Sequence, residues 1–369
     1  MDPTDRTSRR KAEHIEVALS ASTGQLSGQL TDASKAGWDD VHLIHRSLPT
    51  LSLDAIDATT KFLGHDLQAP LMIAGMTGGH SDAMQINARL GGAAERLGLG
   101  VGVGSQRAAL ENATLEATYS VVRANAPTAL VLANLGMCQL VAQDGRAAFD
   151  ETQVRRAVEM VGAQGLAIHL NLVEELVQTE GDRNTSGVVE ALRSVVETCP
   201  VPVIIKETGS GLSRETCAEL VRVNVSAIDV GGAGGTDFAR IEAVRAERFG
   251  DERGARIGAT FSGWGIPTAA SVLEASSVPV PIIATGGVRT GLDAAKAIAL
   301  GAHLVGLGRP ALRAAIDGLD PLLRHLELFL EELRVAMLLC GARRPEELRA
   351  TAPVLFGRTG EWARQRGLR

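Results

Sequence analysis

Eight short apolar runs recur along this chain, and each is followed by a segment of helical character. The first four are Leu71–Met76, Gly100–Ser105, Ala129–Gly136 and Leu166–Asn171. The second four are Val201–Glu207, Ala227–Gly232, Val280–Gly287 and His303–Gly308. All are rich in Val, Ile, Leu and Ala, and none alternates with polar residues. Strands buried on both faces of a parallel sheet read this way. Between them, Gln153–Gly162 puts Val154, Ala157, Val158 and Val161 on one helical face, and Leu292–Leu300 does the same with Ala295, Ile298 and Ala299. Eight such units in about 250 residues describe a TIM (β/α)8 barrel. A doubly wound open sheet is the competing architecture, and the count of eight favours the barrel.

Residues 1–65 then form an N-terminal extension that packs on the barrel and closes over its mouth, 66–345 the barrel, and 346–369 a C-terminal tail. Residues 240–265 are too long for a plain loop and predict an excursion over the active face. Lys11–Leu19 reads as amphipathic and Leu322–Cys340 as a long helix. The charged last ten residues predict a frayed end.

Composition removes several classes of function. The net charge of -6 argues against a nucleic-acid binder. No apolar run reaches the length of a membrane span. The charged N-terminus lacks an apolar signal region, and Cys138, Cys199, Cys217 and Cys340 form no Cys-x-x-Cys pair. A reducing cytoplasm is the expected compartment.

Chemistry in a barrel sits at the C-terminal ends of its strands. Here those ends are polar or glycine-rich throughout. The first carries Ala74, Gly75, Met76, Thr77 and Gly78, the second Ser105 and Arg107, and the third Asn134. The fourth carries His169 and Asn171, two apart and so on one face. The fifth ends in Lys206-Glu207 and the sixth in Gly231 to Thr236. The seventh reads Thr285-Gly286-Gly287-Val288-Arg289 and the eighth Gly306-Leu307-Gly308-Arg309-Pro310. Glycine amides with an arginine after strands seven and eight suit a phosphate.

The paired Gly-Gly-Val-Arg and Gly-Arg-Pro loops look like those of FMN-binding barrels. Further segments narrow the likeness: Arg10 to His14, Met76 to Gly79, Gly104 to Arg107, His169 to Asn171, Glu180 to Asp182, Lys206 to Gly209 and Gly231 to Glu242. With these the chain resembles type 2, FMN-dependent isopentenyl diphosphate isomerase from about residue 9 to about residue 345. The resemblance implies a redox-neutral isomerase of prenyl diphosphates in isoprenoid biosynthesis. It implies reduced FMN and Mg²⁺, with NADPH as reductant, and a homo-oligomer of four or more chains.

The same resemblance implies residue roles. Ala74 to Gly78, Ser105, Asn134, Lys206 and Thr236 line the flavin, while Gly286, Gly287, Arg289, Gly308 and Arg309 hold its phosphate. A cation such as Lys206 beside the ring suits an anionic reduced flavin. Arg10, Lys11, His14, Arg107, His169, Asn171 and Glu174 bind substrate, and Glu175 binds the metal. Lys206, His169, Glu174 and Glu242 are the catalytic candidates. Phe238 and Trp264 are expected in an apolar wall. One position departs from the family, where His-x-Asn-x-x-Gln-Glu is usual and this chain has Glu174 in place of the glutamine. That leaves open an FMN-binding homologue that acts on another prenyl-type diphosphate or lacks isomerase activity. An FMN 2-hydroxy-acid oxidoreductase fits less well, because the sixth strand end has no histidine.

Overall fold

A computed structural model describes residues 33–368, together with Glu13, Glu16 and Val17. Arg10, Lys11, His14 and most of the Lys11–Leu19 stretch lie outside the described residues. The eight apolar runs form eight parallel strands: β1 (Leu71–Ile73), β2 (Gly100–Gly102), β3 (Val131–Gly136), β4 (Gly165–Leu170), β5 (Val203–Glu207), β6 (Ala227–Asp229), β7 (Ile282–Thr285) and β8 (Leu304–Leu307). They pair in chain order, and β8 closes on β1 with Val305 opposite Leu71 and Leu307 opposite Ile73. The fold is a closed (β/α)8 barrel.

Each strand sends one set of side chains inward and one outward. Met72, Leu132, Ile204, Ile283 and Leu304 fill the barrel's interior and form one buried cluster with Phe62 and Leu67. Those two come from a hairpin, Thr60–Phe62 with His65–Leu67, whose Leu63-Gly64 turn has positive φ at both residues. That is the turn a two-residue hairpin favours. Outward-facing Ile73, Val101, Val131 and Ile205 meet the helices in the main core.

The helices alternate with the strands. They are α1 (Ser81–Leu97), α2 (Ala117–Asn125), α3 (Glu151–Met160), α4 (Leu172–Val177), α5 (Val188–Thr198) and α6 (Arg214–Arg222). Two more, α7 (Phe238–Phe249) and α8 (Glu252–Thr260), form the excursion after β6 and pack on each other and on α4. They precede α9 (Thr268–Ala275), α10 (Gly291–Ala299), α11 (Arg309–Asp317) and the long α12 (Leu319–Leu339). Among the described residues no helix is long and apolar enough to cross a membrane.

The C-terminal end differs from expectation. Residues Gly357–Arg366 form a helix, α13, rather than a frayed tail. It is held by distant partners: Arg366 bonds to Glu274 and Glu215, and Trp362 Nε1 donates to Glu274 at 2.8 Å. Just before it, Val354–Leu355 pairs antiparallel with Val41–His42, so the two flanking segments meet each other.

Candidate active site

A cavity of about 550 Å³ opens at the C-terminal ends of the strands. That lies within the range of small-molecule sites. The loop after β1 contributes Ala74, Gly75, Met76, Thr77 and Gly78 to one side. Gly286, Gly287 and Arg289 after β7, with Gly308 and Arg309 after β8, form another. Lys206 and Thr236 also line it. Ser105 and Asn134 do not. Ser105 lends its carbonyl to the buried Tyr119 hydroxyl at 2.7 Å, and Asn134 lies below, in the barrel interior beside Lys206.

Lys206 stands at the floor, where barrel interior and cavity meet. Its ammonium lies 3.7 Å from Asp229 and donates to the Glu207 carbonyl at 3.0 Å. Burial pushes the Asp229 carboxyl up, and the Lys206 charge pulls it back. Glu207, outward on the same strand, accepts backbone N–H donors from Gly209, Ser210 and Gly211. It thereby fixes the loop that carries Thr208 and Gly209 into the cavity wall.

The glycines after β6 and β7 are required by close backbone approach. A Cβ on Gly235 would lie 3.0 Å from the Gly287 nitrogen, and one on Gly286, at φ +123°, would lie 2.4 Å from the Gly232 carbonyl. Arg289 is oriented by Asp293, which accepts from both its backbone N–H (3.0 Å) and its Nε (3.2 Å). Glycine backbone at a strand end with two arginines is a donor set that fits a phosphate monoester. A cation at the floor of the cavity fits an electron-rich ring. The residues therefore fit FMN.

A second group of residues lies beyond β4. Asn134 donates to the Val103 carbonyl through Nδ2, so its Oδ1 faces His169 Nδ1 at 2.8 Å and accepts from it. Asn171 Nδ2 donates to Glu175 at 3.0 Å, while Asn171 Oδ1 is buried with no partner among the described residues. An unpartnered buried acceptor is costly unless a ligand meets it. Glu175 is buried. Its other oxygen accepts from the Asp182 N–H at 2.7 Å. Mg²⁺ commonly takes one or two carboxylates, waters and substrate phosphates, so Glu175 fits as one ligand. Among the described residues no three His, Cys, Asp or Glu side chains form a metal cluster by themselves.

Arg107 donates to Asp182 at 2.9 Å and to Glu111 at 2.8 Å. Burial works against its charge, but Glu111, Asp182 and Glu175 outweigh that and raise its pKa. Asp182, 2% exposed, also accepts from Arg146 and from Gln139. Sequence reasoning gives Asp182 no role. It also missed Gln178, whose buried amide donates to Glu174 at 3.1 Å and to Glu242 at 3.0 Å. Gln178 lies four residues after Glu174, on the same helical face, and that spacing was the available signal. Glu242 is further paired with Arg245.

Asn171 and Glu174 line a small recess that shares Thr208, Gly209, Thr236 and Phe238 with the main cavity, so the two groups of residues adjoin. Phe238 is in both walls. Trp264 is a correction: it is 61% exposed, stacks edge-on against Phe261 and touches only the recess.

The family model described as FMN-dependent dehydrogenase matches residues 169–353. Isopentenyl-diphosphate delta-isomerase of Methanosarcina barkeri is 45% identical over 98% of this chain and 95% of its own length. The enzyme of the same name from Methanococcoides burtonii is 46% identical over 98% and 96%. Among solved structures, a Pediococcus acidilactici lactate oxidase matches at a TM-score of 0.65 and 16% identity, over 88% of this chain and 87% of that one. At that identity the likeness concerns the barrel alone. Near-full-length identity to the isomerases, on a flavoenzyme barrel whose strand ends form this cavity, assigns the chain to the isopentenyl-diphosphate delta-isomerase family.

Proposed function

We propose that this chain interconverts isopentenyl and dimethylallyl diphosphate by protonation and deprotonation, with reduced FMN, Mg²⁺ and NADPH as the reductant. One observation carries the reading. A cavity lined by the glycines and arginines after β7 and β8, with Lys206 at its floor, adjoins a recess lined by Asn171 and Glu174. A flavin and a diphosphate substrate need such neighbouring sites.

When bound, reduced FMN would supply an electron-rich face and an exchangeable proton, and Mg²⁺ would neutralise diphosphate charge. The rest falls to the chain. Lys206 holds positive charge at the ring edge, itself held by Asp229. Arg107, His169 and Asn171 bind the diphosphate, joined by Arg10, Lys11 and His14 from the N-terminal segment. Glu175 holds the metal. Met76, Phe238, Ile241, Val288 and Leu312 supply apolar cavity wall, which keeps water from a cationic intermediate. Glu174, which lines the recess, and Glu242, joined to it through the Gln178 amide, are the carboxylates that handle protons.

A second reading rests on Glu174. A carboxylate beside a diphosphate adds repulsion that an amide does not, which favours a homologue acting on another prenyl-type diphosphate. Incubation with FMN, Mg²⁺, dithionite and isopentenyl diphosphate in D₂O, followed by NMR, separates the two. The isomerase reading expects dimethylallyl diphosphate with deuterium at allylic positions. Yellow, reducible protein without product or exchange overturns it. Restored turnover in Glu174→Gln then marks a diverged isomerase, and continued silence a different substrate.

A further inference from the structure

The loop after β7 is braced from behind by both flanking segments of the chain. The Gly286 carbonyl accepts from Trp38 Nε1 at 3.3 Å. Trp38 is fully buried, and Lys296 Nζ donates to its carbonyl at 2.8 Å. Ala36 packs against the same loop: a Cβ on Gly287 would lie 2.6 Å from the Ala36 methyl. Asp39 reaches Arg289 at 3.5 Å.

Residues 36–40 rest in turn on α13. Thr359 Oγ1 donates to the Gly37 carbonyl at 3.3 Å, and Thr359 N donates to Asp40 Oδ2 at 2.9 Å. The Phe356 N–H donates to the Asp40 carbonyl at 2.9 Å. Asp40 thus supplies from a distance the acceptor that the first turn of α13 needs. The far end of α13 is fixed to α9 and α6 through Glu274 and Glu215.

Peptide geometry links this brace to the cavity. A trans peptide carries its C=O and the next N–H on opposite sides. Trp38 holds the Gly286 carbonyl, so the Gly287 N–H points away from Trp38. Gly235 lies beside that nitrogen, and a side chain there would cover the donor. Gly287, at φ +63°, is left-handed and has no steric preference of its own for this orientation. The brace supplies the preference.

We infer that Trp38 and α13, acting through Thr359, Gly37 and Asp40, are positioning elements for the phosphate group of FMN. They hold the β7 loop so that its backbone donor faces the anion. The inference rests on the cofactor reading above and extends it to residues far from the cavity.

Fluorescence titration of the full-length apoprotein with FMN and with riboflavin tests it, because the two ligands differ only in the phosphate. Wild type is expected to bind FMN more tightly than riboflavin. Trp38→Phe keeps the aromatic bulk and removes the donor. It should weaken FMN by about three- to tenfold, the effect of one neutral hydrogen bond, and leave riboflavin unchanged. Thr359→Val should move FMN affinity the same way, and Thr359→Ser should restore it. Unchanged FMN-to-riboflavin ratios in Trp38→Phe and Thr359→Val overturn the inference, as does equal weakening of both ligands. Tight FMN binding by wild type in those cases leaves the cofactor reading standing. A wild type that binds neither flavin overturns both.

Discussion

The Lys206 ammonium lies 3.7 Å from the Asp229 carboxylate, both on the barrel's inner wall beneath the cavity. A buried lysine is costly without a partner, and a buried aspartate equally so. Each therefore fixes the other, and the long lysine side chain is held where a ring edge would meet it.

Lys206→Met keeps the stem and removes the charge. Turnover of isopentenyl diphosphate should fall roughly a hundredfold or more, the scale for losing one preorganised electrostatic contact. Asp229→Asn should lower turnover less, because Lys206 remains but loses its anchor. Steady-state kinetics beside an unchanged far-ultraviolet spectrum check both. Equal activity of Lys206→Met and wild type removes Lys206 from the mechanism.

Burial pushes the Glu207 carboxyl from its ordinary 4.5 up to about 7, against the backbone donors and Lys206, which pull it down. The folded chain therefore binds more protons than the unfolded chain between those values. Stability from this group is greatest below about pH 4.5 and falls as pH rises through about 7. Glu207→Gln should flatten that part of the melting-temperature profile between pH 5 and 8. A slope unchanged by the substitution would assign the pH dependence to other groups.

Asp182→Asn should act on stability and on substrate affinity together. It leaves Arg107 and Arg146 around a neutral amide where a carboxylate held both. Breaking a buried pair costs about 3–5 kcal/mol, a fall that denaturant titration reads directly. KM for the prenyl diphosphate should rise more than kcat falls if Arg107 binds the diphosphate as proposed.

Gly78→Ala should disrupt the loop after β1. Gly78 has φ +152°, and a Cβ there would lie 2.0 Å from the Tyr119 ring. Flavin retention on purification should drop. Tyr119→Phe, which loses one hydrogen bond to the Ser105 carbonyl, should cost only about 1 kcal/mol.

The barrel was legible because strands buried on both faces cannot alternate. Val131 to Leu135 or Ile204-Ile205 therefore stand out in any reading. The glycine and arginine side of the cavity was legible because those residues fall directly after the seventh and eighth runs. What stayed hidden depends on contacts across the chain. Arg366 looks like a solvated terminal charge until Glu274 and Glu215 are beside it. Trp264, read as cavity wall, is exposed because the loop after α8 carries it outward. Gln178 carries no signal beyond its four-residue spacing from Glu174. Its importance comes from Glu242, which α7 brings next to α4.

The pairing of Val305 with Leu71 fixes the order in which this molecule can be made. The last barrel strand leaves the ribosome about 230 residues after the first, and at roughly 5–20 residues per second the open edge of β1 waits ten seconds or more for its neighbour. During that wait an apolar parallel edge is exposed to every other nascent chain. Closure of the barrel is thus a race against aggregation, and co-translational chaperones should matter more to the yield of this protein than its final stability does.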